Sequence, residues 1–479
     1  MSASSSSTHL GSTSGQDELI PLGHNWFIHN PNLRSVRVHY EAIPKDHPAL
    51  PAAEHALEKI VRVLVRLHGC RASIVPCLHR AERDMQDLPV VLHATLLDVE
   101  VLEMLHLMNS TIPVHLYIGD PLTTGTPFDA YSPEKLVIPS ELRPGDPIFC
   151  ASTERVTVFT AYLHLPDDGA LYGLTAGQAV VSQAGFLPHP HLLPRPDKHQ
   201  RRMRSSQLAL QPLGCPLSNP AVKIVERAIE LMAVQREMLS AATSPTSSDG
   251  ATSSRSNDRH IARKRQHDLE RVILQDSLAR AHEYDVGQAC AAEALIRPCN
   301  SSSHGGSAAR PSPRGKDKDP DHTHLLSWAL IRMSAKTCDN AVTLRAHPGR
   351  LECGTTVAMQ VNDPNLERPL GPYRDGVVNG APASVVLGGH VAREWAVFPA
   401  AGKGVRFAVR GDAGALVTAV GRAGERDGGT STPVALLYAI PERGPYGLVT
   451  SLTTIMRRIR DVTGLELRFQ GSWWRDGYG

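Results

Sequence analysis

Apolar and polar residues alternate over Ser35–Ile43 (SVRVHYEAI), the period of a half-buried or edge strand. The next run changes period. In PAAEHALEKIVRVLVRLHG, Leu57, Ile60, Val61 and Leu64 share one helical stripe, Pro51 stands where a helix can open, and Gly69 where one can stop. The short apolar runs ASIVPCL, LPVVLHATLL and TIPVHLYIG predict strands, and LDVEVLEMLHLM predicts a second helix. Residues 19–130 are therefore expected to form a small α/β domain whose apolar helix faces build its own core. A stretch rich in proline, glycine and threonine follows, and residues 131–154 are expected to be a linker.

From about Arg155 to residue 470 the texture is that of an all-β unit. RVTVFTAYLHL, ALYGLTAGQAVV, LLSWALIRM, TTVAMQV, APASVVLGGHV, REWAVFP, VRFAVRG, GALVTAVG and PVALLYAI are short β-like runs between turn residues, a pattern of sandwiches and barrels. Two segments interrupt it. Residues 218–281 carry two runs with helical spacing (Val222, Val225, Ile229, Met232 and Leu239; then Ile261, Leu269, Val272 and Ile273) around a low-complexity tip, and predict an inserted helical hairpin. Residues 300–321 (NSSSHGGSAARPSPRGKDKDPD) predict a disordered loop. YGLVTSLTTIMRRIRDVTG then predicts an amphipathic helix through Leu452, Ile455, Ile459 and Val462, stopped at Gly464. Residues 1–18 and 471–479 are expected to be tails, the first disordered.

Composition narrows the function. The 479 residues are 41% apolar and 20% charged with a formal net charge of +2, so there is no general drive towards nucleic acid or acidic membranes. The basic runs Lys198–Arg204 and Arg259–His267 read as solvated faces. The serine-rich start has no apolar core of a secretory signal, and no run approaches about 18 uncharged apolar residues, so an intracellular protein (cytoplasmic or nuclear) off the membrane is expected. Eight cysteines show no C-x-x-C pair, as expected of free thiols. PHPHLLP and DHTHLL lack the spacing and cysteine partners of a zinc site, so neither metal nor cofactor is expected.

Three segments carry the chemistry: LYGLTAGQAV, LLSWALIRM and GVRFAVRGDAGALV. In this order they resemble the three catalytic motifs of the chymotrypsin/trypsin-like serine proteases, in particular intracellular fungal members. The family's first motif is L-T-A-G-H, its second in the fungal proteins is D-W-A-L-I, and its third is G-D-S-G. Here the histidine position holds Gln178, the aspartate position Ser327 and the serine position Ala413. The helical insertion and the terminal helix are also similar, and the resemblance covers Arg155–Phe469, about two-thirds of the chain. The alignment at Ser327 leaves Asp319, Asp321 and Asp339 open as the third position. The resemblance implies a trypsin-like double β-barrel with a helical-hairpin insertion, preceded by the small α/β domain.

The substitutions decide what such a fold can do. The triad needs a hydroxyl to attack, an imidazole to take its proton and a carboxylate to orient the imidazole. A methyl group at Ala413 cannot attack, and the Gln178 amide has no useful pKa. In a serine protease, loss of one essential member lowers turnover by up to about 10⁶. The expectation is a pseudoprotease, not an enzyme, that acts as a binding or scaffold protein. The amides of the Gly411–Asp412–Ala413 turn would remain as a residual oxyanion site, and an extended peptide or protein would be the partner. Two alternatives stay open: a serine-type hydrolase with an unrecognised catalytic set, since Ser327, Thr175, Cys290, Cys338 and Cys353 each read as structural residues, or a partner-binding protein acting through the helical insertion.

Overall fold

The structure is a computed structural model that describes residues 19–29 (without 24), 39–80 (without 68), 89–97, 101, 110–128, 142–166, 170–181, 215–242, six residues between 266 and 276, 286–298, 323–333, 344–361, 373–400, 406–420 and 431–470 (without 443). In chain order the elements are β1 (Leu19–Gly23), β2 (Trp26–His29), β3 (His39–Glu41), α1 (Leu50–Leu64), β4 (Arg71–Arg80), β5 (Val90–Leu96), β6 (Val114–Ile118) and β7 (Thr126–Pro127). Next come β8 (Pro147–Cys150), β9 (Arg155–His164), β10 (Leu171–Thr175), β11 (Cys215–Ser218), α2 (Pro220–Ala242), β12 (Gly287–Pro298) and β13 (Thr323–Met333). The last are β14 (Thr356–Gln360), β15 (Tyr373–Val378), β16 (Ala383–Leu387), β17 (His390–Pro399), β18 (Leu416–Ala419), β19 (Thr432–Ala439), β20 (Gly447–Ser451), α3 (Leu452–Thr463) and β21 (Arg468–Phe469).

The chain is mostly β, and its strands close two six-stranded antiparallel barrels. The first runs β8–β9–β10–β13–β12–β11 and closes where Leu217 and Ser218 of β11 meet Cys150 and Phe149 of β8. The second runs β14–β15–β17–β20–β19–β18 and closes through β14 and β18. Closure removes free sheet edges, which is one way a long all-β chain avoids pairing with other chains. Strand alternation fills each barrel. Val357, Val378, Val397, Val417, Leu437 and Val449, one from each strand, pack in the second. Ile148, Phe159, Leu217, Ala289, Ala292 and Ile331 pack in the first. The opposite faces of the same strands (Leu330 and Trp328 of β13, Phe398 of β17, Tyr438 of β19) join α3 in a core shared by both barrels.

The amino-terminal sheet β1–β2–β6–β5–β4 continues into the second barrel, because β4 pairs with β16 and β16 with β17. Helix α1 covers one face with Leu57, Ile60, Val61 and Leu64, the stripe expected from the sequence. The other face carries Val75, Cys77, Val91 and Tyr117 into the shared core. Part of the expected linker belongs to the first barrel: β8 lies within it, and all four of its residues are buried. Strand β7, in the expected α/β segment, also pairs with β9. VRFAVRG contributes no strand over its described residues; it forms the approach to a turn. Strand β12 escapes sequence reading because Ala289, Ala291, Ala292 and Ala294 favour helix; their small side chains suit close packing between neighbouring strands instead. Gly464 stops α3 at φ +76°, as its place after the helix predicts. The first arm of the expected hairpin is a helix, α2; the expected second arm, the expected helix at 97–108, the loop at 300–321 and both tails lie wholly or mostly outside the described residues. No helix among the described residues is long and apolar enough to cross a membrane.

Buried polar groups stitch the units together. Leu325 of β13 donates its N–H to Glu394 of β17, and its carbonyl accepts from Thr450 Oγ1 at 3.1 Å. One residue of the first barrel thus has both backbone groups satisfied by side chains of the second. Burial raises the Glu394 carboxyl well above its ordinary value. In the amino-terminal sheet, His93 stacks on Tyr117 (4.4 Å) and stands edge-on to Tyr446 (5.5 Å) of the barrel side. His115 Nδ1 meets Tyr40 Oη at 2.9 Å. Burial first, then neighbouring imidazoles, lower both histidines to about 3.

These groups give opposite pH slopes. Glu394 keeps its proton in the folded chain after the unfolded chain has lost it, so its contribution is full below the ordinary carboxyl range and falls as pH rises above it. His93 and His115 stay neutral when folded, so their contribution is full above about 6.5 and falls as pH drops towards about 3. E394Q keeps an acceptor for Leu325 without the proton. It is expected to stabilise the chain at pH 7.5 relative to its effect at pH 4.5, as read from urea unfolding at both. An equal effect at the two pH values contradicts the assignment.

Candidate functional site

Strand β10 ends at Thr175 and enters a single 3₁₀ turn, Gly177–Ala179. A Cβ on Gly177 would stand 2.1 Å from Glu293 O and 2.6 Å from Trp328 O, so only glycine lets the chain pass between β12 and β13 there. Gln178 follows in a fixed position. Its N–H donates to Ser327 Oγ at 3.3 Å, and both side chains are buried. The expected first and second motifs are therefore in contact. Ser327 is set by β13, opposite Ala294 of β12. The neighbouring Glu293 is also buried, holding Trp328 Nε1 at 3.2 Å and Arg458 of α3 at 2.6 Å.

The third motif forms the turn that leads into β18. Asp412 accepts from Val409 N–H at 2.7 Å and from Arg374 Nη1, and Arg374 Nη1 also donates to Phe407 O at 3.3 Å. Both charged side chains are almost fully buried. Gly414 has φ +99°, and a Cβ on it would meet Val158 O at 2.2 Å. The turn therefore lies directly on strand β9 of the other barrel.

Strand β9 joins the two halves of the site. Ala413 O accepts from Val158 N–H at 2.9 Å and from Thr157 Oγ1 at 2.7 Å. Gly414 O accepts from Thr160 Oγ1 at 2.5 Å. From the other side, Thr175 Oγ1 donates to Val158 O at 2.7 Å. Residues 157–160 thus hold the turn carrying Ala413 and the strand end that leads to Gln178. Asp319, Asp321, Asp339 and Cys338 lie outside the described residues.

The chemistry left at this junction is hydrogen bonding. Ala413 offers a methyl group, and Gln178 an amide. No described residue accepts from the N–H of Gly411 or Ala413. Gln178 Oε1 and Nε2 are buried and meet no hydrogen-bond partner among the described residues. Two amides and a carboxamide left this way are donors and an acceptor without a partner among the described residues, and the carboxamide is closed off from solvent. The other nucleophiles weighed from the sequence are engaged or muted. Thr175 is committed to Val158 O. Burial pushes the Cys290 thiol up to about 12 and also raises Cys353, so neither supplies a thiolate near neutrality. Ser73, a buried hydroxyl that the sequence did not single out, bonds Tyr446 Oη at 3.0 Å. No group of three or more metal-ligating side chains among the described residues is placed to hold an ion.

Sequence reasoning missed Arg374 and the threonines of β9. The signal for Arg374 was the alternation of Arg374, Gly376 and Val378 in YRDGVV, which puts the arginine on the face that Gly376 and Val378 bury. Removing one partner of a buried pair strands the other charge. R374M is expected to destabilise the chain by about 3–5 kcal/mol in urea unfolding, with D412N in the same chain recovering part of the loss. Full stability of R374M contradicts the role given to the pair.

Neither the protein-family models nor the curated protein sequences contain a match to this chain.

Proposed function

We propose that this chain is a catalytically inactive protein of the trypsin-like double-barrel kind, with the inserted helical hairpin and the preceding α/β segment as additions, and that it binds an extended peptide or protein segment at the junction of its barrels. The two closed six-stranded barrels support the fold reading. One observation carries the functional reading. Gln178 and Ser327 are in contact, and the Ala413 turn bonds the strand that also holds the end of β10, which supports reading these three positions as one junction with no attacking hydroxyl at 413 and no imidazole at 178. The remaining groups suit recognition. The Gly411 and Ala413 amides point to a carbonyl or carboxylate oxygen, and the buried Gln178 carboxamide can both donate and accept. Oxyanion contacts and binding alone would leave about 10³–10⁴ of acceleration over water, which is not an enzyme's rate.

A second reading has its own observation. Leu231, Val234 and Met238 of α2 are 57%, 48% and 67% exposed and recur at helical spacing, so α2 presents an apolar stripe. A partner helix or groove would cover it.

Two measurements separate the readings. A fluorophosphonate probe is expected to leave the purified chain unlabelled. Labelling at a serine, abolished by substituting that serine, overturns the inactive reading. Peptides selected by display against the chain are expected to lose binding in Q178A and to keep it in L231E/M238E. The reverse pattern assigns binding to the helix and overturns the junction as the binding site.

A further inference from the structure

Helix α3 buries Leu452, Ile455 and Ile459 and exposes Thr453, Arg457 and Arg460, which lie three to four residues apart on one side. After Gly464 the chain turns into β21, which adds to β9 with Arg468 opposite His164. Phe469 N–H of β21 donates to Ala346 O at 3.1 Å, which brings His347 and Pro348 alongside. These segments enclose a cleft of about 350 Å³. Arg457, Arg460, Arg468 and His347 line it as cationic or ionisable groups, and Met456 and Leu467 give it an apolar wall.

The charge in this cleft is unbalanced. Among the described residues Glu466 is its one lining carboxylate, and it reaches Arg460 only at 3.6 Å in an exposed pair. Such a pair is weak in solvent. Arg457 and Arg468 have no ion-pair partner among the described residues. Three guanidinium groups against one carboxylate leave a surplus of about two positive charges. The surplus is felt nearby: His164 is held below its ordinary value by partial burial and then by the charge of Arg468. A planar guanidinium matches phosphate oxygens in a two-pronged contact. A phosphomonoester carries about −1.5 to −2 near neutrality, which offsets that surplus. The volume lies at the small end of ligand pockets, and the wall of Met456 and Leu467 gives an organic group a surface that bare phosphate would not use.

We propose that this cleft binds the phosphomonoester group of an organic ligand, with Arg457, Arg460 and Arg468 on the phosphate and Met456 and Leu467 against the organic part. The site is separate from the barrel junction and stands or falls without it.

The probe is phenyl phosphate, titrated into the full chain by calorimetry at low salt. Saturable one-site binding is expected, weaker for inorganic phosphate and for phthalate. R457Q and R468Q are each expected to weaken it by at least roughly fivefold, with unchanged thermal unfolding because both side chains are exposed. R457K and R468K, which keep the charge and lose the fork, are expected to fall between the parent and the glutamine variants. A phosphotyrosyl peptide that binds more tightly than phenyl phosphate identifies a protein ligand, and equal binding identifies a small ester; both support the site. No saturation at millimolar phenyl phosphate, phthalate binding as tightly, or glutamine variants that leave affinity unchanged overturns it.

Discussion

Four hydrogen bonds to residues 157–160 of β9 hold the candidate site together. They tie a turn of the second barrel to a strand of the first, and they tie the end of β10 to the same residue, Val158. The geometry leaves no room for slack. Gly414 sits where any Cβ would press on Val158 O, and Gly177 where any Cβ would press on the carbonyls of Glu293 and Trp328. These two close approaches fix where Gln178 and Ala413 stand whatever their chemistry, and the register of β13 on β12 fixes Ser327.

Around the junction, buried charge is handled in two ways. Asp412 meets a buried guanidinium, and Glu293 is shared by Trp328 and Arg458. Glu394 instead carries a raised pKa and bonds a backbone N–H as it crosses between the barrels. A buried ion pair is weak evidence of stability, but breaking one is costly, so such pairs act as registry devices. Here the Arg374–Asp412 pair fixes a turn within the second barrel, and the Arg458–Glu293 pair fixes α3 on the first. The aromatic and imidazole cluster does similar work for the amino-terminal sheet: it fills the face turned to the barrels with groups that must stay neutral to remain buried.

Much of this was legible in the sequence. Alternation and turn residues gave most barrel strands, the stripe of α1 and the terminal helix with its Gly464 stop. The juxtaposition of Gln178 and Ser327 was implied by the resemblance of their motifs to the family's histidine and aspartate motifs. Three things were hidden for physical reasons. Strand β12 is alanine-rich, and local propensity pointed away from strand until tertiary packing overrode it. Four short buried residues of β8 gave no periodicity to read beside their proline-rich surroundings. Arg374 is a charged residue on a buried face, and its reason for being there, Asp412, lies 38 residues away.

The turn at 411–414 is docked on β9 through Ala413 O and Gly414 O, while the N–H groups of Gly411 and Ala413 have no acceptor among the described residues. Residue-resolved hydrogen exchange measures this directly. The N–H groups of Val158 and Gly414, bonded to Ala413 O and Leu437 O, should exchange as slowly as the barrel cores, and those of Gly411 and Ala413 much faster. Fast exchange at Val158, or protection at Gly411 and Ala413 equal to that of Gly414, contradicts the account.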